Sequence, residues 1–310
     1  MDNDTDTIPE SLENRSLLAR IFISPDEPRL RAGWRILVEF IFLVVIVFFI
    51  GFLAQLLIQY GLNEYLGSII VVLGITTSVF MGRRFLDRRS FVSLGLKLNT
   101  WTLMDLFVGF AIGGLIIGLI FYLEMALGWL TIDKYAWQNY PLEEVRGLMI
   151  GMLITFIFVG WQEELVSRGY LLQNLIDGLN VFWGVIVSSI LFGLLHLANP
   201  NSSIEGALGT FLVGIFLSYA YLVTRQLWLP IGLHIGWNFF EGPIFGFPVS
   251  GVDAFRVLQQ SVNGPTLITG GSFGPEAGLI LLVGLALGIG LVYAYSRYRS
   301  NSVKQEERSE

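Results

Sequence analysis

Residues 148–174 read LMIGMLITFIFVGWQEELVSRGYLLQN, an apolar run long enough to cross a membrane that nevertheless carries three charged side chains. A spanning helix needs about 20 predominantly apolar residues. Each ionisable side chain within such a helix costs roughly 2.5–3.5 kcal/mol on insertion scales, so Glu163, Glu164 and Arg168 need a reason to lie there. The alternative is a polar cluster at a helix end, which the return of apolar sequence at Tyr170–Leu172 disfavours.

The composition of the whole chain also indicates membrane embedding. Of its 310 residues, 54% are hydrophobic and 14% are charged, and the mean hydropathy is +0.65. A typical soluble domain is about 45–50% apolar and about 25% charged. The formal charge of −6 argues against a basic surface for phosphates, so no nucleic-acid partner is expected. The sequence has no cysteine, which excludes thiol catalysis, disulfides and cysteine-ligated metal sites.

Eight apolar runs predict the number of membrane spans. They are Trp34–Tyr60, Tyr65–Gly82, Leu103–Leu127, Leu148–Asn174, Val181–Ala198, Ile204–Thr224, Leu227–Phe240 and Ala277–Tyr295. The seventh run is the shortest, and the Gly- and Pro-rich stretch Gly242–Gly274 is predicted to be a long, partly re-entrant connection. We therefore expect an all-α membrane protein, a polytopic bundle of about eight transmembrane helices.

The basic residues predict the orientation of these spans. With eight spans, 15 of the 19 Lys and Arg residues fall on the side of both termini, three fall on the other side, and Arg168 lies inside a span. Basic loops face the cytoplasm, so both termini are expected there. The expected organisation is a cytoplasmic tail at 1–33, a transmembrane domain at 34–296 with its motif core at 148–240, and a cytoplasmic tail at 297–310. The basic bias, with no signal-like apolar run at the start, favours a multi-pass protein of a bacterial plasma membrane.

Helical spacing predicts which of the charged residues of the fourth span can pair. Glu164 and Arg168 are four residues apart, on one face of a helix, and can form an ion pair. Glu163 is rotated by about 100° from Glu164, so the same arginine cannot serve both carboxylates of one helix. Glu163 is therefore left without a partner on its own helix.

Two further pairs of polar or aromatic residues lie one helical turn apart in later spans. Phe192 precedes His196, and His234 precedes Asn238. Each pair taken alone fits packing as well as catalysis. If the fourth and fifth spans turn around Asp177–Asn180, then Glu163 and His196 both lie about 21–24 Å from that turn, at the same level. His234 reaches this level only if its short helix begins below the membrane surface.

One glutamate, two histidines and one asparagine in a dry site suggest activation of a water molecule. A carboxylate in such a site can take a proton from water. Imidazole and carboxamide groups can either bind a metal or donate hydrogen bonds to an oxyanion. Peptide hydrolysis within a membrane needs these parts.

At these residues the sequence resembles the CPBP family, also called ABI or CAAX-protease-like, whose members are eight-span intramembrane proteases. The family's three motifs are Glu-Glu-x-x-x-Arg, Phe-x-x-x-His and His-x-x-x-Asn/Asp. The chain has Glu163-Glu164-Leu-Val-Ser-Arg168, Phe192-Gly-Leu-Leu-His196 and His234-Ile-Gly-Trp-Asn238. Each motif alone is weak evidence, whereas three in the same order and with the same spacing are strong evidence.

The resemblance implies roles for these residues. Glu163 would activate water with His196 beside it, Glu164 and Arg168 would form a structural ion pair, and Phe192 would pack within its motif. His234 and Asn238 would hold the oxyanion. Alternatively, Glu163, His196, His234 and Asn238 would bind Zn²⁺, because the family has been described both as metalloproteases and as glutamate-type proteases. We favour the glutamate mechanism, since Asn is an uncommon zinc ligand.

The expected function is that of an intramembrane endopeptidase. Its partners would be the lipid bilayer and a hydrophobic or lipidated peptide or a membrane-protein substrate, and nothing in the sequence marks a site for a prenyl group. Two alternatives stay open. A proton-coupled transporter would use the buried Glu and His as proton carriers, but the inverted repeats typical of transporters are not visible. A non-catalytic membrane scaffold would use the motif residues for packing alone.

Overall fold

The structure of the protein is a computed structural model that describes residues 16–25 and 27–309, without the side chains of 303–309. The chain divides into two compact units. The first comprises Met1–Phe91 and Asp177–Asn180, and the second comprises Val92–Ile176 and Val181–Glu310. The predicted N-terminal tail lies outside the described residues up to position 15.

Helices account for most of the described residues. In chain order they are α1 (Leu17–Phe22), α2 (Ala32–Gln59), α3 (Glu64–Met81), α4 (Thr102–Ala126), α5 (Leu142–Glu164), α6 (Leu172–Gly178), α7 (Val181–Leu195), α8 (Ile204–Thr224), α9 (Trp228–Phe239), α10 (Thr266–Thr269) and α11 (Ile280–Ser309). Short polar side chains cap two of them. Asn63 accepts a hydrogen bond from the Tyr65 amide at the start of α3, and Ser203 accepts one from the Gly206 amide at the start of α8.

The prediction of an all-α polytopic membrane protein is confirmed. Among the described residues, six helices are long and apolar enough to cross a membrane: α2, α3 with its extension to Leu86, α4, α7 with its extension to Ala198, α8, and α11 as far as Ser302. The predicted fourth and seventh spans correspond to α5 and α9 and are not among these six. At 12 residues, α9 is about 18 Å long, which is shorter than the hydrocarbon core of a bilayer. The orientation of the termini stays a prediction.

The first unit contains α1 to α3 and a buried ion-pair network. Asp87 binds Arg35 and Arg83, each at 2.8 Å, and Asp177 binds Arg29 at 3.1 Å. Arg29 lies within the predicted N-terminal tail but is buried.

The predicted C-terminal tail, 297–310, is helical as far as it is described, since α11 continues through residue 309.

In the second unit, α4 and α9 pack closely through glycines spaced four residues apart on both helices. A Cβ atom at Gly109 or Gly113 of α4 would lie within 2.5 Å of the α9 backbone. A Cβ at Gly232 or Gly236 of α9 would lie 2.2 Å from a carbonyl oxygen of α4. Small residues at this spacing let helix backbones approach each other in membranes. The short helix α9 is thereby held inside the unit, with every residue from Leu229 to Asn238 buried.

The connection between α9 and α11 contains structure that the sequence analysis did not predict. Strand β2 (Leu258–Val262) pairs antiparallel with β1 (Leu130–Tyr135), which follows α4. The register places Leu130 opposite Val262 and Tyr135 opposite Leu258. A single-turn 3₁₀ helix, Pro275–Ala277, then leads into α11. The part of this connection from Gly242 to Gly274 was predicted to be partly re-entrant. Glu276, which follows it, is buried in the second unit.

Candidate active site

The first motif lies where α5 changes its winding. The α-helical hydrogen bonding ends at Glu164, and a π-helical segment follows over Leu165–Leu171. The predicted ion pair is confirmed, because Nη1 of Arg168 donates to Oε1 of Glu164 at 2.8 Å and both side chains are buried. Nη2 of Arg168 donates to the Gly214 carbonyl of α8 at 3.2 Å. The guanidinium therefore fixes this segment to α8. π-Helical turns are frequent at functional sites.

Phe192 lies between this ion pair and the histidines. Its ring centre is 4.2 Å from Cζ of Arg168, which is a cation–π contact. The same ring lies 4.7 Å from the His196 ring and 6.3 Å from the His234 ring, centre to centre. Phe192, which was predicted to pack within its motif, therefore packs with its ring next to the arginine and to both imidazoles.

His234 makes a contact that the sequence analysis missed. Its Nδ1 atom lies 2.8 Å from Oε1 of Glu164, the same oxygen that accepts from Arg168. A carboxylate can only accept hydrogen bonds, so Nδ1 of His234 carries the hydrogen. Its Nε2 atom then points away from the ion pair. No spacing rule could reveal this contact, because the two residues are 70 positions apart.

His196 is oriented in the same way by its own helix. It stands at the end of α7, where the last turn tightens to a 3₁₀ helix over His196–Ala198. Its Nδ1 atom lies 2.8 Å from the carbonyl oxygen of Phe192. Because a carbonyl only accepts, Nδ1 again carries the hydrogen. In the neutral form of each ring, Nε2 is the unprotonated nitrogen.

Both Nε2 atoms face Glu163. Its Oε2 atom lies 3.8 Å from Nε2 of His234 and 4.0 Å from Nε2 of His196. Oε2 is itself buried and has no hydrogen-bond partner among the described residues. The expectation that Glu163 and His196 lie at the same level, with His234 reaching them from a short helix, agrees with these distances.

These residues line one cavity of about 430 Å³ in the second unit. Asn238, one turn after His234 on α9, lines it as well and is buried. The remaining wall is largely apolar, with Met152, Phe156, Val213 and Leu217 among its members. The cavity therefore brings together Glu163, His196, His234 and Asn238, all four residues predicted to act in catalysis.

Two of the polar residues of the cavity wall that were not singled out from the sequence are bonded to each other. Glu276 and Ser250 line it from the connection that precedes α11, and the Ser250 hydroxyl donates to Oε2 of Glu276 at 2.5 Å. Glu276 and Ser250 lie in a Gly- and Pro-rich region without helical periodicity. The spacing of residues in such a region does not predict which side chains point in the same direction. Glu241, just after Asn238, is fully buried nearby.

The donor types around Glu163 are ones that zinc accepts: two imidazole nitrogens, a carboxylate and an amide oxygen. As arranged, however, no three His, Asp or Glu side chains within the described part of the chain are placed to hold an ion. The alternative of a zinc site at Glu163, His196, His234 and Asn238 stays a prediction.

Comparison with known proteins links this cavity to a family. Residues 145–240 match the family model described as type II CAAX prenyl endopeptidase Rce1-like, a range that contains all three motifs. A protein of Bacillus subtilis (strain 168) named "Putative membrane peptidase YdiL" is 24% identical over 181 residues, which cover 58% of this chain and 68% of that protein. No solved structure matches the chain with statistical significance.

Proposed function

We propose that the chain, whose residues 145–240 match the model of the type II CAAX prenyl endopeptidase Rce1-like family, is an intramembrane endopeptidase in which Glu163 activates the attacking water. The observation that carries the proposal is the convergence of one carboxylate oxygen and two imidazole nitrogens. Oε2 of Glu163 faces both Nε2 atoms at 3.8 and 4.0 Å, and all three groups line one cavity.

These separations suit a shared water molecule better than direct hydrogen bonds. An ordinary hydrogen bond between such groups spans about 2.7–3.2 Å, so 3.8–4.0 Å is too long. A water about 2.8 Å from both Oε2 and one Nε2 would subtend roughly 90° between them, which is close to the angles that water adopts. Glu163 can take the proton of that water as its oxygen attacks the peptide carbonyl carbon.

His234 and Asn238 are placed to stabilise the oxyanion that this attack creates. His234 has a carboxylate on either side, Glu164 at 2.8 Å from Nδ1 and Glu163 at 3.8 Å from Nε2. When the ring carries both protons, Nε2 is a hydrogen-bond donor. The carboxamide of Asn238 supplies a second donor from the next turn. Donors fixed in a site with little water stabilise developing charge strongly.

Glu164 and Arg168 act on this chemistry by positioning. Neither lines the cavity, yet Glu164 binds Nδ1 of His234 while Arg168 holds Glu164. The pair thereby sets the tautomer and the orientation of the imidazole, as a buried carboxylate does for a catalytic histidine in hydrolases.

The cavity supports a hydrophobic or lipidated peptide as substrate. Its volume of about 430 Å³ has room for a few side chains, and much of its wall is apolar. Comparative peptidomics of membranes that contain the wild-type protein or Glu163→Ala would identify the substrate. The proposal expects peptides that appear only with the wild type, and identical peptide sets would contradict it.

A further inference from the structure

Two buried carboxyl groups beside the cavity have no part in the mechanism so far. Glu276 is 4% exposed and Glu241 is 0% exposed. Burying a charged carboxylate is costly unless it is paired, and no arginine or lysine pairs with either residue in the described part of the chain. The burial of these two carboxyl groups therefore needs an explanation other than packing.

Glu276 is held rigidly against the cavity. It stands in the 3₁₀ turn Pro275–Ala277, and a Cβ atom on Gly209 of α8 would lie only 1.7 Å from its carbonyl oxygen. The backbone of this turn therefore rests directly on α8. The Ser250 hydroxyl binds Oε2 at 2.5 Å, which leaves Oε1 as the oxygen that Ser250 does not bind.

The carboxyl group of Glu276 belongs to the same cavity as the catalytic groups. It lines the wall together with Glu163, His196 and His234. A peptide bound in this cavity would therefore face two carboxyl groups, Glu163 on α5 and Glu276 in the turn before α11.

Glu241 is a neighbour of Glu276 that does not line the cavity. Neither of its carboxyl oxygens has a hydrogen-bond partner among the described residues, and Oε1 would lie 3.4 Å from a Cβ placed on Gly274. Burial raises the pKa of Glu241 well above its usual value, and the nearby charge of Glu276 raises it further. Burial likewise raises the pKa of Glu276. Two neighbouring buried carboxyls of this kind retain at least one proton between them.

We propose that Glu276 is a second catalytic residue, which gives a proton to the nitrogen of the departing amine while Glu163 takes one from water. The inference rests on the proposed function. Water adds to the carbonyl carbon and its proton passes to Glu163, the C–N bond breaks with its electron pair on nitrogen, and the proton of Glu276 completes the amine. Proton transfer through solvent from Glu163 to Glu276 after product release restores both groups, so no further reactant is needed.

The test compares two leaving groups in the same peptide. An amine leaves only after protonation, whereas the thiolate of a thioester leaves without a proton because thiols ionise near pH 8.5. Glu276→Gln should therefore lower kcat on the amide about 10²- to 10³-fold, within the range for general acid catalysis, and lower kcat on the thioester less than about threefold. Glu163→Gln should lower both rates, because both substrates need an activated water.

The matched control is Asp253→Asn, which removes another acidic side chain from the cavity wall, one that is exposed and paired with Arg256. Its ratio of amide to thioester rates should equal that of the wild type. Equal loss of both rates in Glu276→Gln would show that Glu276 only holds the cavity wall and would overturn the inference. If Glu276→Gln does not fold, the two rates are compared for Glu276→Asp, whose carboxyl group is set back by one methylene. The amide rate should again fall more than the thioester rate, and an equal loss of both rates would again overturn the inference. Wild-type protein that cleaves neither substrate would instead contradict the proposed function.

Discussion

Nδ1 of His234 lies 2.8 Å from Oε1 of Glu164, the oxygen that also accepts a hydrogen bond from Arg168. The ion pair of the first motif is therefore connected to the histidine of the third motif, 70 residues later in the chain. The adjacent glutamates Glu163 and Glu164 have different surroundings because their side chains point in different directions. Glu163 lines the cavity, and its Oε2 has no hydrogen-bond partner in the described part of the chain, whereas Glu164 binds the buried side chains of Arg168 and His234.

Glu164→Ala should lower both stability and activity. The substitution leaves the guanidinium of Arg168 buried without its carboxylate, and removal of one partner of a buried ion pair typically costs about 3–5 kcal/mol. It also frees the His234 ring to rotate. Thermal unfolding in detergent should show a clearly lower melting temperature than that of Glu163→Gln, which removes no hydrogen bond at Oε2. Equal melting temperatures for the two variants would refute this division of roles.

Gly232→Ala should displace α9 and with it His234 and Asn238. The added Cβ would lie 2.2 Å from the Leu106 carbonyl oxygen, a backbone atom that cannot move aside without shifting α4. Overpacking of this kind costs about 1–3 kcal/mol, and a loss of turnover should accompany it. Gly290→Ala on α11 is the matched control, because no atom lies within 4 Å of a Cβ there. Similar melting temperatures and rates for both alanine variants would contradict the close α4–α9 contact.

Asn238 variants distinguish the glutamate mechanism from the zinc mechanism. If Asn238 donates to the oxyanion, Asn238→Ala should lower turnover about 10²- to 10³-fold with little change in substrate affinity. Asn238→Asp should fail as well, because a carboxylate repels the developing negative charge. If Asn238 binds zinc, Asp is an acceptable oxygen ligand and Asn238→Asp should keep much of its activity.

The measurement for Asn238 pairs kinetics with metal analysis of the same purified sample. The glutamate mechanism predicts that Asn238→Asp is inactive. It also predicts that activity does not depend on metal content, either in this variant or in the wild type. An active Asn238→Asp enzyme that holds about one zinc per chain would instead establish the metal mechanism.

Much of the fold could be predicted because apolar runs in a membrane protein are long and distinct. The sixth predicted span, Ile204–Thr224, coincides with α8, and the fifth, Val181–Ala198, coincides with α7 and its 3₁₀ extension. The two-stranded sheet of β1 and β2 was missed because its strands lie about 120 residues apart and are only six and five residues long. The packing glycines of α4 and α9 did offer a signal, a spacing of four residues on both helices.

The candidate site could be predicted where the chemistry follows helical spacing. Glu164–Arg168 is a contact across one turn, and the distances from the turn at Asp177–Asn180 placed Glu163 and His196 at one level. The contact between Glu164 and His234 depends on how α5 and α9 are rotated about their axes, which sequence alone does not determine. Glu276 reaches the cavity from an irregular connection, where no periodicity predicts the direction of a side chain.

The most direct test of the account is the rate at which Glu163→Gln cleaves a substrate peptide in proteoliposomes, with thermal unfolding measured on the same preparation. The amide keeps the shape of the side chain but cannot accept the proton of water. Because the Glu163 side chain is 31% exposed and its Oε2 has no partner among the described residues, folding should be nearly unchanged. The account predicts a melting temperature close to that of the wild type and a cleavage rate lower by at least about 10²-fold. A variant that cleaves the peptide at the wild-type rate would contradict it.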